Sequence, residues 1–129
     1  MYFIAVKSPS LIKIEAPIKP VPFKRVMTNG RRRYNSAGYT EFKEELGYFA
    51  SLAMQGQEPF KGKISLRAEF YKKRKGIEKA GWGDVDNFLK AVMDALNGIC
   101  YVDDGQVIKV SGEKKIGEPH IFIELEETK

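Results

Sequence analysis

The chain has 129 residues, with 22 lysines and arginines against 17 acidic residues, a formal net charge of +5 and one cysteine. That length fits a single domain, 1–129, with one small core, and a lone cysteine excludes an intrachain disulfide framework. No apolar run reaches the length of a membrane span or a signal-peptide core, so the expected setting is soluble and cytoplasmic, and the positive field favours a polyanion, nucleic acid first, as partner.

Leu11 to Glu15 alternates apolar and polar residues and predicts a strand, which Pro17, Pro20 and Pro22 then convert into an extended loop over 16–23. Next come Lys24, Arg25, Arg31, Arg32 and Arg33 around an Asn29-Gly30 turn signal, an exposed basic hairpin or loop ending near Tyr34. From Ser36 to about Gln55, Tyr39, Phe42, Leu46, Phe49 and Ala53 recur at helical spacing, with Gly47 as a weak point. Lys63 to Tyr71 alternates as a core strand and runs into Lys72-Lys73-Arg74-Lys75. A glycine-punctuated loop over 76–83 holds Trp82, and Asp84 to Asn97 predicts a helix closed by Gly98 in a left-handed cap. Two strands, Ile99 to Val102 and Gln106 to Gly112, flank an Asp103-Asp104-Gly105 turn, and Pro119 to Glu126 alternates as the last strand. The predicted class is α+β, a mixed or antiparallel sheet with two main helices.

The second helix carries the chemistry. At about 100° per residue, Val85, Phe88, Leu89, Val92, Met93 and Leu96 share one arc, while Asp86, Asn87, Lys90, Asp94 and Asn97 share the other. Asp84 takes the N-cap position and Asp86 the first turn, where free backbone N–H groups and the helix dipole favour ionised carboxylates. Two carboxylates two residues apart across a turn into a helix can converge on one point beyond its start. A hard divalent cation suits such oxygens; magnesium keeps several waters and needs few carboxylates, and Asp103-Asp104 is the obvious source of a third. Each residue also has an ordinary use: Asp84 as a cap, Asp86 as a surface acid, Asp103-Asp104-Gly105 as a hairpin turn, Lys90 as an ion-pair partner of Asp86 or Asp94. Their joint occurrence points instead to a metal site with Lys90 beside it to bind a phosphate or stabilise transition-state charge. Adjacent residues of a strand face opposite ways, so only one of Asp103 and Asp104 leads into that site, and the apolar alternation does not choose between them.

The cations Lys24, Arg25, Arg31, Arg32, Arg33, Lys72, Lys73, Arg74 and Lys75 are candidates for phosphate contacts without sequence readout, against the ordinary reading of a solvated basic surface. Trp82, Tyr34 and Phe23 are candidates to stack on bases, although core or interface packing is the commoner use of Trp82 and Tyr34. Cys100 reads as a buried structural thiol and His120 as a structural strand residue.

Three blocks, Gly83-Asp84-Val85-Asp86-Asn87-Phe88-Leu89-Lys90, then Asp94-Ala95-Leu96-Asn97-Gly98, then Asp103-Asp104-Gly105-Gln106-Val107, resemble in order and spacing the D-x-D-N-x-x-K, D-A-L and D-D-x-Q-V signature of RusA Holliday junction resolvases. Pro20 to Arg25 and Arg33-Tyr34 are similar more loosely. The resemblance implies a mixed α/β subunit in an intertwined homodimer, acting on four-way DNA junctions with magnesium, manganese being a plausible substitute. Cleavage would leave 5′-phosphate and 3′-hydroxyl ends. It also implies that Asp84, Asp86 and Asp104 hold the metal and that Lys90 is the catalytic lysine. The chain departs from the family pattern at Gly83, where an arginine is common. Two other classes compete: a non-catalytic nucleic-acid-binding dimer, which binds without cutting, and a metal-dependent phosphohydrolase of small nucleotides, indifferent to branched DNA.

Overall fold

A computed structural model describes residues 10–23, 27–29, 32–34, 37–73 and 83–128. Its elements in chain order are strands β1 (Leu11–Ala16), β2 (Met27–Asn29) and β3 (Arg32–Tyr34), helix α1 (Ala37–Met54), strand β4 (Lys63–Lys72), helix α2 (Val85–Leu96), a 3-10 turn (Asp104–Gln106), and strands β5 (Val107–Ile116) and β6 (His120–Thr128). The class is α+β, as the sequence predicts.

Four strands form one mixed sheet in the order β1-β6-β4-β5. β6 pairs antiparallel with β1 and β4, while β5 pairs parallel with β4. Alternation decides which face is covered: Ile12, Ile14 and Ala16 of β1, Ile64, Leu66, Ala68 and Phe70 of β4, and Ile121, Ile123 and Leu125 of β6 are all buried. Both helices pack on that face, α1 through Tyr39, Phe42, Leu46, Ala50 and Met54, and α2 through Phe88, Leu89, Ala91, Val92, Ala95 and Leu96. The opposite face carries polar side chains. There Glu69 accepts from the Tyr71 hydroxyl (2.7 Å), Arg67 (2.8 Å) and Lys115 (3.1 Å), which together hold its carboxyl at about 2. Met27–Asn29 and Arg32–Tyr34 pair as a separate two-stranded sheet, in line with the basic hairpin expected there.

Two glycines set close approaches. A side chain on Gly47 would meet Ile99 at 3.1 Å, so the weak point in α1 is where the 97–103 segment packs. One on Gly112 would meet Leu89 and Val85 at 3.0 Å, so β5 passes directly beneath the first turns of α2.

The expected strand over Ile99–Val102 does not form. Gly98, at φ +85°, reverses the chain, its N–H donates to the Tyr101 carbonyl (2.8 Å), and the Ile99 and Cys100 amides both donate to the Leu96 carbonyl. The helix end thus folds back on itself and buries Cys100 and Tyr101. Tyr101 makes only isolated bridges, with Phe60 and Asn97, and its hydroxyl donates to the Met93 carbonyl at 2.7 Å. With no strand before it, Asp103-Asp104-Gly105 is not a hairpin turn: it opens the 3-10 turn, and the strand that follows crosses to pair with β4 instead. As expected, Gly98 is the left-handed cap, Cys100 is buried with its thiol pushed up to about 12 by burial, and His120 lies in a strand, stacked on Tyr71.

Candidate active site

The parallel pair β4 and β5 and the crossover helix between them place the start of α2 at the C-terminal ends of both strands, the usual position for a site in such a unit. Three contacts anchor this corner. Phe88 stacks on Phe70 near the end of β4 (5.1 Å), Lys114 near the end of β5 donates to the Gly83 carbonyl (3.0 Å), and the Phe23 amide donates to the Asn87 carbonyl (2.9 Å). The last contact ties the proline-rich strap 16–23 to the first turn of α2. Phe23 itself is part-exposed and meets Tyr39 edge-on at 5.8 Å.

At this corner Asp84 holds the N-cap position, yet its side chain makes no capping bond. Asp86 and Lys90 follow on the exposed face of α2. Neither forms a hydrogen bond or ion pair with any described residue, so the ordinary use of Lys90 as an ion-pair partner of Asp86 or Asp94 is not realised. Asp94 is engaged elsewhere: it accepts from the buried Tyr39 hydroxyl at 2.8 Å and pairs with Lys43 at 3.3 Å, fastening α2 to α1. Burial first, then the Asp94 hydrogen bond, pushes the Tyr39 hydroxyl well above the ordinary tyrosine range, so it remains a donor. Of the polar arc of α2, Asp94 is structural, whereas Asp86 and Lys90 are left to solvent.

Asp103 and Asp104 are separated by their roles in the 3-10 turn. The Asp103 carboxylate accepts from the Gly105 amide (2.8 Å), and its own amide donates to the Gln106 side-chain oxygen (2.9 Å) in a capping box. The Gln106 side chain also donates to the carbonyls of Phe60 and Gly62, both at 2.8 Å, which moors the turn to the segment before β4. Asp104 is exposed and its carboxylate bonds to nothing described. The part played by Gln106 is absent from the sequence reading, although Asp103-x-x-Gln106 is itself a capping-box pattern.

The structure brings Asp84, Asp86 and Lys90 together but not Asp104. Gly112, the β5 residue beneath Val85 and Leu89, lies five residues beyond Val107, about 17 Å along an extended strand. Among the described residues of one chain, no three acidic, histidine or cysteine side chains are grouped to hold a metal. Asp84 and Asp86 are suited to a hard cation as an exposed pair of carboxylates that bond to no described residue; among the described residues no third carboxylate joins them. Of the candidate DNA contacts, Lys72 ends β4 and Lys73 follows it, exposed, and Arg32 and Arg33 lie in β3. Lys24, Arg25, Arg31, Arg74 and Lys75, with Trp82, fall outside the described residues. Among the described residues no helix is long and apolar enough to cross a membrane.

No curated protein matches the chain. The family model described as Endodeoxyribonuclease RusA matches residues 17–126, a span that takes in the proline strap, both helices and the turn bearing Asp104. With that match over most of its length, the chain belongs to the RusA endodeoxyribonuclease family, whose activity is Holliday junction resolution by a nuclease.

Proposed function

We propose that this chain is a magnesium-dependent resolvase that cuts four-way DNA junctions as a homodimer, with Asp84, Asp86, Lys90 and Asp104 as its catalytic set. The observation that carries the proposal is the exposed trio Asp84, Asp86 and Lys90, whose side chains bond to no described residue, at the C-terminal ends of two parallel strands, within the matched family. When bound, magnesium supplies Lewis-acid stabilisation of phosphate charge and a bound water of lowered pKa. Asp84 and Asp86 would hold that ion at the helix start. Lys90, one turn on, offsets charge on the scissile phosphate.

Asp104 enters this scheme through a second copy. β5 is an edge strand of ten residues, exposed along most of its length, with Ile108, Val110 and Ile116 among its exposed apolar side chains. Such an edge is a template for pairing. Antiparallel pairing of two β5 edges about a two-fold axis sets the start of one strand beside the end of the other. The start adjoins Asp104; the end adjoins Lys114, Gly83 and Asp84. Dimerisation of this kind supplies a third carboxylate, Asp104 of the second copy, twice, one site for each of the two equivalent strands of a junction.

Incubating the protein with a synthetic four-way junction and with a matched duplex, with and without magnesium, tests the activity. Selective paired cuts in the junction are expected; binding without cutting, or turnover of mononucleotides alone, rejects the proposal. Mixing Asp86→Asn with Asp104→Asn tests the sharing. Each alone is expected to be inactive, while their heterodimer keeps one intact site and nicks the junction. A mixture as inactive as its components places all ligands in one chain.

A further inference from the structure

Lys19 lies in the proline strap, and nothing in its sequence context marks it as functional. The structure gives it a fixed place. On one side the Ile18 amide donates to the Ala16 carbonyl at 2.8 Å and Ile18 packs against the core; on the other, Pro20 is buried. Proline at 17 and 20 further narrows the backbone, so Lys19 is held out from a stiff segment. Facing it, β4 ends at Lys72, whose carbonyl accepts from the Gly117 amide at 2.9 Å and so draws the turn between β5 and β6 against the strand end. Lys19, Lys72, Lys73 and Pro119 line a cavity of about 300 Å³.

The described lining of this cavity is basic: three lysines line it, and no carboxylate does among the described residues. Burial, and then the neighbouring Lys19 charge, lowers the Lys72 pKa below the ordinary lysine value. Cations brought close to one another in a partly buried site favour the approach of an anion. Among the described residues the lining offers no aromatic ring or side-chain amide that would read a base. It lies at the same end of the sheet as Asp84 and Asp86. The strap that carries Lys19 reaches the first turn of α2 four residues later, at Phe23, at most about 14 Å of extended chain.

We propose that the cavity between Lys19, Lys72, Lys73 and Pro119 seats a backbone phosphate of the bound DNA, a few nucleotides from the cut. The proposal rests on the DNA-cleaving reading above and adds Lys19 and a discrete phosphodiester seat to it.

Fluorescence anisotropy with a labelled four-way junction, in buffer without divalent ions, across 50 to 200 mM sodium chloride, tests it. Each phosphate contact contributes about 0.9 to the slope of log affinity against log salt, so a fourfold rise in salt weakens each contact roughly threefold. Lys19→Ala is expected to flatten the slope by about one contact, and Lys19→Arg to restore it. Lys63→Ala, an exposed lysine at the opposite end of β4, is expected to leave the slope unchanged. A Lys19→Ala slope equal to that of the unmodified protein overturns the seat, as does a loss that Lys63→Ala reproduces. Failure of the unmodified protein to prefer the junction over duplex rejects instead the resolvase reading.

Discussion

Replacing Asp103 and Asp104 one at a time separates a structural carboxylate from a catalytic one in adjacent positions. Asp103→Ala removes the acceptor of the Gly105 amide, a 2.8 Å bond that caps an exposed 3-10 turn. The loss of such a cap costs about 1 kcal/mol. With an unfolding entropy of about 2.1 cal/mol/K per residue, a chain of 129 residues should lose about 4 °C in Tm. Asp103→Asn keeps an oxygen in place and should melt close to the unmodified protein. The Asp104 carboxylate bonds to no described group, so Asp104→Asn should change stability by no more than about 0.5 kcal/mol. Its cleavage rate, in contrast, should fall on the order of a thousandfold, because several kcal/mol of metal-borne stabilisation go with the ligand. Differential scanning fluorimetry and single-turnover junction cleavage on the same preparations measure both quantities. An inactive Asp103→Asn beside an active Asp104→Asn reverses the assignment, and a melting loss in Asp104→Asn equal to that of Asp103→Ala makes Asp104 structural.

Asp84→Asn and Asp86→Asn should each abolish cleavage and leave junction affinity in gel shifts unchanged, since neither side chain caps the helix or pairs with a described residue; cutting near the unmodified rate would remove them from the metal site. Lys90→Ala should lower the single-turnover rate steeply and affinity little, because one phosphate contact among many adds modestly to binding; an equal fall in both makes it an anchor. Glu69 contributes to stability in a pH-dependent way. Its carboxyl is held at about 2 by hydrogen bonds from Tyr71, Arg67 and Lys115, below its unfolded value near 4.5. Its contribution is therefore complete above pH 4.5 and declines as pH falls from there toward 2. Melting curves of Glu69→Gln should run below the unmodified protein at pH 6 and converge with it near pH 2; a constant gap would assign the effect to packing.

Much of the fold is legible in the sequence because alternation and helical spacing report which face of an element is buried, whatever covers it. Leu11–Ala16, Lys63–Lys72 and His120–Thr128 form as strands, and α2 buries the arc that holds Phe88, Leu89, Val92 and Leu96. The three acidic blocks likewise identify the family, since their residues and spacing are written in the chain itself. Local pattern does not carry the pairing of distant segments. Tyr101 and Val102 look like strand residues, but Gly98 turns the chain back and Tyr101 is buried against the end of α2, so β5 takes β4, more than 40 residues earlier, as its partner. That parallel pairing, decided by long-range packing, places Asp84 and Asp86 at one end of β5 and Asp104 at the other. The contacts that divide the polar residues are also tertiary. Asp94 is taken by Tyr39 and Lys43 of another helix, Asp103 by its own turn, and Lys19 is brought to Lys72 across the sheet end. A side chain is left to solvent or engaged according to which distant groups reach it, and only the folded chain determines that.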